Sequence, residues 1–237
     1  MSPLKNLVLN KQLRGCLKSA YLNSLLLPLL LLLVTSCSIS LFNGYQRNGI
    51  DTGNTPVSWF QSDTGHFLFN TKMDLMKNHF SGLMVIKPVS RDNYRVVFIT
   101  EVGLKIFDME FFPDQKVKVH YIMDAMNKRA LIKTLSNDIS LILMNRYGNL
   151  KPDLLHEKAS RDVVYRFRDK GRKCYYYAQG GEKPYRILQT GGITKKVNAN
   201  LYGNNASGID SVKISHYNIR LSIGLYRINE ETKNVTE

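Results

Sequence analysis

The sequence predicts a mainly β chain of the α+β type: a curled antiparallel sheet, or half-open β-barrel, of about eleven strands with one main amphipathic helix on its concave face. Three observations predict it. Short runs with apolar residues on alternate positions recur between turn residues from His66 to Tyr226. A single segment, Lys128–Asn145, changes to helical period, with Leu131, Ile132, Leu135, Ile139, Ile142 and Leu143 on one stripe. No linker interrupts the series, and one helix is too small to cover so many strands, so the sheet has to curl with the helix against its inner face.

The elements follow in order. His66–Met73, Phe80–Lys87, Tyr94–Thr100, Leu104–Phe111 and Lys116–Ile122 read as strands. Glu101-Val102-Gly103 reads as a tight hairpin turn, because glycine accepts the positive φ such turns need. Short connections make these neighbours antiparallel, so the first half is a meander. After the helix, Gly148 stands where a left-handed cap would be expected, and Pro152–Glu157 reads as a short helical turn begun by proline. Strands resume at Asp162–Arg168, Arg172–Ala178, Pro184–Gln189, Ile193–Leu201, Val212–Tyr217 and Ile219–Tyr226. The expected organisation is a signal segment over 1–36, a flexible tether over 37–65, one β domain over 66–226 with its helix at 128–145, and a tail over 227–237.

With 237 residues, 43% of them hydrophobic, the chain can bury a core, which excludes wholesale disorder. Its first 18 residues hold Lys5, Lys11, Arg14 and Lys18 and no acid; an apolar run from Leu22 to Val34 follows, then Thr35-Ser36-Cys37. Basic start, apolar middle and small residues are the order of a secretory signal. Val34-Thr35-Ser36-Cys37 resembles a bacterial lipobox. That resemblance implies cleavage between Ser36 and Cys37, a diacylglycerol thioether on the Cys37 sulfur, and a fatty acyl group such as palmitate on the new α-amine. An uncleaved anchor helix over Leu22–Phe42, or a plain signal cut elsewhere, are the competing readings. All three put the folded part outside the cytoplasm, with the lipobox holding it to a membrane through several acyl chains. Ser38 and the acid-free stretch behind it point to the outer membrane and its periplasmic face.

Three cysteines are too few for a disulfide framework or a four-cysteine zinc site. With Cys37 lipidated, Cys174 is a single thiol in the strand-like run Lys173–Tyr177, expected to be buried and inert. The net charge is +14, and residues 151–237 carry 16 basic against 9 acidic side chains. The excess sits around Arg161, Arg166, Arg168, Lys170, Arg172 and Lys173, and at Lys195-Lys196. Outside the cytoplasm a basic face suits anionic head groups, polyanionic glycans or an acidic partner; nucleic acid is not expected. A solvated strand face explains the same charges.

Nothing in the histidines His66, His79, His120, His156 and His216 has metal-ligand spacing, and no nucleophile or phosphate-loop motif occurs. No cofactor or metal is expected, and no enzymatic activity. Asp108 and Glu110 share one strand face and are expected to pair with Lys116 and Lys118 across the Pro113 turn.

Lipobox, meander, central amphipathic helix and second meander together resemble the lipoprotein-localisation carrier and receptor superfamily. The segments that carry the likeness are Phe80–Lys87, Tyr94–Thr100 and Glu101–Asp108. The resemblance implies a half-open barrel with a helical lid over an apolar cavity that takes up acyl chains. On that reading Tyr94, Val96, Phe98, Leu135, Ile139, Tyr165 and Phe167 would line the cavity, and the ligand would be a lipid or an acylated protein, held without covalent chemistry, in a sorting role. Phe111-Phe112 is the nearest match to the receptor's protruding apolar loop. The alternative is a scaffolding envelope lipoprotein that grips an acidic partner or glycan through its basic second half.

Overall fold

The structure, a computed structural model, describes residues 45–50, 56–61, 65–145, 147, 150–157, 162–169, 171–180, 183–204 and 206–228. The expected signal segment, Ser36 and Cys37, and the tail beyond residue 228 lie outside the described residues. No described helix is long and apolar enough to cross a membrane.

Among the described residues, thirteen antiparallel strands form one unclosed sheet. They are β1 (Tyr45–Ile50), β2 (Phe67–Leu75), β3 (Asn78–Ser90), β4 (Asn93–Thr100), β5 (Lys105–Phe111), β6 (Val117–Ile122), β7 (Asp153–Glu157), β8 (Asp162–Asp169), β9 (Arg172–Gln179), β10 (Pro184–Gly191), β11 (Thr194–Asn204), β12 (Gly208–His216) and β13 (Leu221–Arg227). A short 3₁₀ turn, Asp124–Met126, precedes the helix α1, Arg129–Leu143. This is the mainly β, half-open architecture that the period of the sequence requires.

The strand order is β1-β7-β8-β9-β10-β11-β12-β13-β2-β3-β4-β5-β6. Two meanders, β2–β6 and β7–β13, are thus spliced by the pairing of the last strand with β2, Leu221 opposite Leu75 through Arg227 opposite Phe69. The link from β6 to β7 runs from one edge of the sheet almost to the other, and α1 lies in that link. The helix therefore bridges the open side of the curl.

Alternation places the core. In β2, Phe67, Phe69, Thr71 and Met73 turn inward; in β4, Tyr94, Val96 and Phe98; in β13, Leu221, Ile223 and Leu225. They join Leu135, Ile139, Ile142 and Leu143 of α1 in one continuous cluster. The Glu101–Gly103 turn forms as the sequence requires: Gly103 has φ 83° and its N–H donates to Thr100 O at 2.9 Å. Leu155, Val164, Tyr175 and Leu188 are also buried, on the opposite parity of β7–β10 and outside the central cluster.

Several expectations need correction. Residues 153–157 are not a helical turn but strand β7, paired with β1 and β8; ladder bonds to two neighbours outweigh the weak preference that Pro152 gives a helix start. The segment expected as a tether contains β1, and Trp59 and Phe60 within it are buried. With β1 and β7 added, the described residues hold thirteen strands, in keeping with the about eleven expected of a half-open sheet. The left-handed residue ending α1 is Met144, with φ 60° and its N–H bonded to Ser140 O; Gly148 lies outside the described residues.

Candidate functional site

All seven residues expected to line an apolar cavity are in the core, each 2% exposed or less. They face one another and the helix. Tyr94 borders a pocket of about 410 Å³ with Phe60, Gln61, Val89 and Arg91. Phe167 borders one of about 120 Å³ with Ser58, Leu143, Met144 and Tyr147. Gln61, Arg91 and Asp92 belong to both pockets, which therefore adjoin at the C-terminal end of α1.

What separates these pockets from the apolar interior is the strap formed by residues 56–61. Ser58 Oγ donates to Leu143 O at 2.9 Å, one of the carbonyls the helix end leaves without an intrahelical partner. Trp59 Nε1 donates to Pro184 O at 2.7 Å, and Lys183 Nζ lies 4.7 Å from the indole centroid. Phe60 is fully buried, edge-on to Phe67 at 5.4 Å and to Phe69 at 6.1 Å between centroids. The strap thus fills part of the curl with side chains that do not belong to the sheet. Composition hides it: polar residues surround Trp59-Phe60, so the segment reads as a lead-in, and the only sequence signal is two adjacent aromatics in a polar stretch.

Aromatic packing continues under α1. Tyr147 stacks on Phe167 at 4.8 Å, and both meet Tyr176 edge-on. Tyr176 Oη donates to Leu141 O at 3.1 Å. Cys174 is buried, as expected; Tyr147 Oη lies 2.8 Å from its sulfur and Gln189 Nε2 3.4 Å from it. Phe111, of the Phe111-Phe112 pair, is wholly in the core.

The acid pair on β5 is bound, but not to the expected lysines. Asp108 accepts from Arg95 Nε at 2.5 Å and Nη2 at 3.0 Å, with Lys105 Nζ at 3.5 Å. The Arg95 hydrogen bonds hold its carboxyl below the ordinary aspartate value. Glu110 meets His120 Nε2 at 2.9 Å, and this bond lowers its pKa. Lys116 pairs instead with Asp114 inside the turn. Arg95 wins because β4 is the neighbour whose side chain reaches Asp108 with a bidentate fork. Within the basic second half, Arg166 and Arg168 are committed to Asp153, at 2.8 and 3.2 Å.

A polar cluster that sequence reasoning missed lies against the middle of α1, at Asn137 and Asp138. Asp138 is fully buried, and its Oδ2 is 2.7 Å from His216 Nε2 of β12. Burial pushes its carboxyl up, against the opposing pull of His216. Asn137 and Gln189 exchange amide hydrogen bonds at 3.0 and 3.2 Å, and Asn137 Oδ1 also accepts from Arg172 Nη1 at 3.1 Å. Among the described residues no group of His, Cys, Asp and Glu is arranged to hold a metal ion.

No family model matches the chain, and no curated protein matches it. Among solved structures it is similar to a crystal structure assigned as an outer membrane lipoprotein-sorting protein domain from Vibrio parahaemolyticus, at 10% identity and a TM-score of 0.38, over 76% of this chain and 91% of that one. A likeness of this size says nothing of ligand or activity, and the fold described above rests on its own strand order.

Proposed function

We propose that this protein is an envelope lipoprotein, anchored through Cys37 at the periplasmic face of the outer membrane, whose half-open barrel holds an apolar ligand without covalent chemistry. The ligand class is a lipid or an acylated protein, and the role is carriage or sorting of such molecules. One observation carries the reading. The apolar interior is covered by α1 and by the strap at 56–61 rather than by closure of the sheet, and a pocket of about 410 Å³ adjoins the strap at Phe60 and Tyr94. That volume falls within the range of small-ligand sites.

The energetics favour exchange of strap for ligand. Burying a large apolar side chain is worth about 1.5–3 kcal/mol, so Trp59 and Phe60 together hold the strap by a few kcal/mol. An acyl chain gains about 0.8 kcal/mol per buried CH₂, so about eight methylenes exceed that.

Native mass spectrometry of the full chain tests this, since it reports acylation at Cys37 and co-purified lipid together. Trp59 is the only tryptophan, so quenching of its emission by an acyl chain carrying bromine gives a second reading. The expected result is a triacylated mass, bound lipid and quenching. A mass equal to the unmodified chain from Met1 overturns the anchor; absence of both lipid and quenching overturns the apolar site.

A further inference from the structure

A third pocket, of about 280 Å³, is lined by Lys133 of α1, Arg172 at the start of β9 and Lys196 of β11, together with Asn137, Gln189 and His216; no carboxylate lines it. Among the described residues none of these three cations is in an ion pair. The nearest buried acid, Asp138, is taken up by His216. Three positive side chains from three elements thus converge on one concavity that no carboxylate lines among the described residues.

The concavity has a fixed frame. Gln189 is 4% exposed and bonded both ways to Asn137, whose Oδ1 holds one guanidinium nitrogen of Arg172. That frame is neutral, so it orients Arg172 without discharging it. A guanidinium has five N–H donors, and among the described residues one is engaged, by Asn137. Asp138 holds His216 through Nε2, which fixes the ring's place in the pocket wall.

We propose that this pocket binds a phosphate-type oxyanion. Three cations exceed what a single carboxylate would neutralise, whereas a phosphate monoester carries about −1.5 to −2 and three acceptor oxygens. The planar fork of Arg172 matches two of those oxygens, and the lysines act as point charges on the rest. The proposal stands on charge and hydrogen bonding, and is independent of whether the apolar interior takes up acyl chains.

Calorimetry on the full chain in zwitterionic detergent tests it with two probes, inorganic phosphate and phosphatidic acid carried in the same micelles. Saturable heat from inorganic phosphate identifies a soluble source, and heat from phosphatidic acid alone identifies a lipid head group; either outcome supports the site. Arg172→Gln and Lys196→Gln should each weaken binding tenfold or more. Lys133→Gln, at an exposed helix position that leaves the fold intact, should weaken it severalfold. Lys195→Gln, on the neighbouring residue outside the pocket, should leave it unchanged. No binding of either probe, or a loss with Lys195→Gln equal to that with Lys133→Gln, overturns the proposal.

Discussion

His216 Nε2 and Asp138 Oδ2, 78 residues apart in sequence, meet at 2.7 Å between β12 and the inner side of α1. Both side chains are nearly inaccessible, 5% and 0% exposed. The pair therefore fastens the helix to the second meander through groups that water cannot replace. Asp138→Ala strands a buried imidazole and should cost about 3–5 kcal/mol in urea unfolding. Asp138→Asn keeps a hydrogen-bonding side chain of the same shape and should cost less, about 1–3 kcal/mol. Equal losses would mean that the space filled, and not the polar contact, sets the effect.

Asp108 makes stability fall in acid. Its hydrogen bonds to Arg95 depress its pKa in the folded chain, while the unfolded carboxyl titrates near the ordinary aspartate value of 3.8. The contribution is present above that value and is lost as the pH falls through the lower, folded pKa. The stability difference between the native protein and Asp108→Asn should therefore be about 1–3 kcal/mol at pH 7 and should shrink below about pH 4. Urea midpoints at pH 7 and pH 3 check this; a difference that grows in acid contradicts it.

Gly82 on β3 sits against the backbone of β4. A Cβ there would lie 2.0 Å from Ile99 O and 2.6 Å from Thr100 Cα, and backbone in a paired strand cannot swing aside. Gly82→Ala should cost about 1–3 kcal/mol or more and shift the β3–β4 ladder. Gly103→Ala meets nothing within 4 Å, so its cost comes from the positive φ alone, about 1–2 kcal/mol. Thermal midpoints rank the two; a milder Gly82→Ala would overturn the close approach.

Ser58 and Trp59 are the fastenings of the strap. Ser58→Ala removes the hydroxyl that serves Leu143 O and the Phe60 N–H, and Trp59→Phe removes the donor to Pro184 O. The double variant should lose about 1–3 kcal/mol. On the proposed function it should bind a brominated or fluorescent fatty acid more tightly than the native chain. Weaker binding would mean that the strap forms part of the site instead of occupying it.

Cys37→Ser should abolish labelling by radioactive palmitate and release the protein from the membrane fraction. Continued labelling, or processing at the same bond, would place the anchor elsewhere.

How far the sequence discloses this molecule depends on what each residue's neighbours are. Strands with clean alternation, such as Phe67–Met73 and Tyr94–Phe98, announce both their existence and their buried face, because the period is local. The β7 pairing is not local: nothing within Asp153–Glu157 reports that β1 and β8 will flank it. The Asp138–His216 pair does leave a trace in the sequence. Asp138 interrupts the apolar stripe of Leu135, Ile139 and Ile142, and His216 continues the inward parity of Val212 and Ile214. An acid inside a helix's apolar face needs a partner, and a histidine on an inner strand face can supply it. Of the triad of Lys133, Arg172 and Lys196, the last two show in the sequence only as part of a general basic excess, since distant cations acquire a common site only when the sheet brings their elements side by side.

Synthesis runs from the N-terminus, and the strand that splices the two meanders is the last in chain order among the described residues. Until Leu221–Arg227 has left the ribosome, β2 lacks one neighbour and β12 lacks the other, with their apolar faces standing open. The hairpins on either side can form early, yet the curl cannot shut around its helix before that strand is in place. Excision of Leu221–Arg227 alone would leave two separate fans of strands, each with a raw edge where the seam should be.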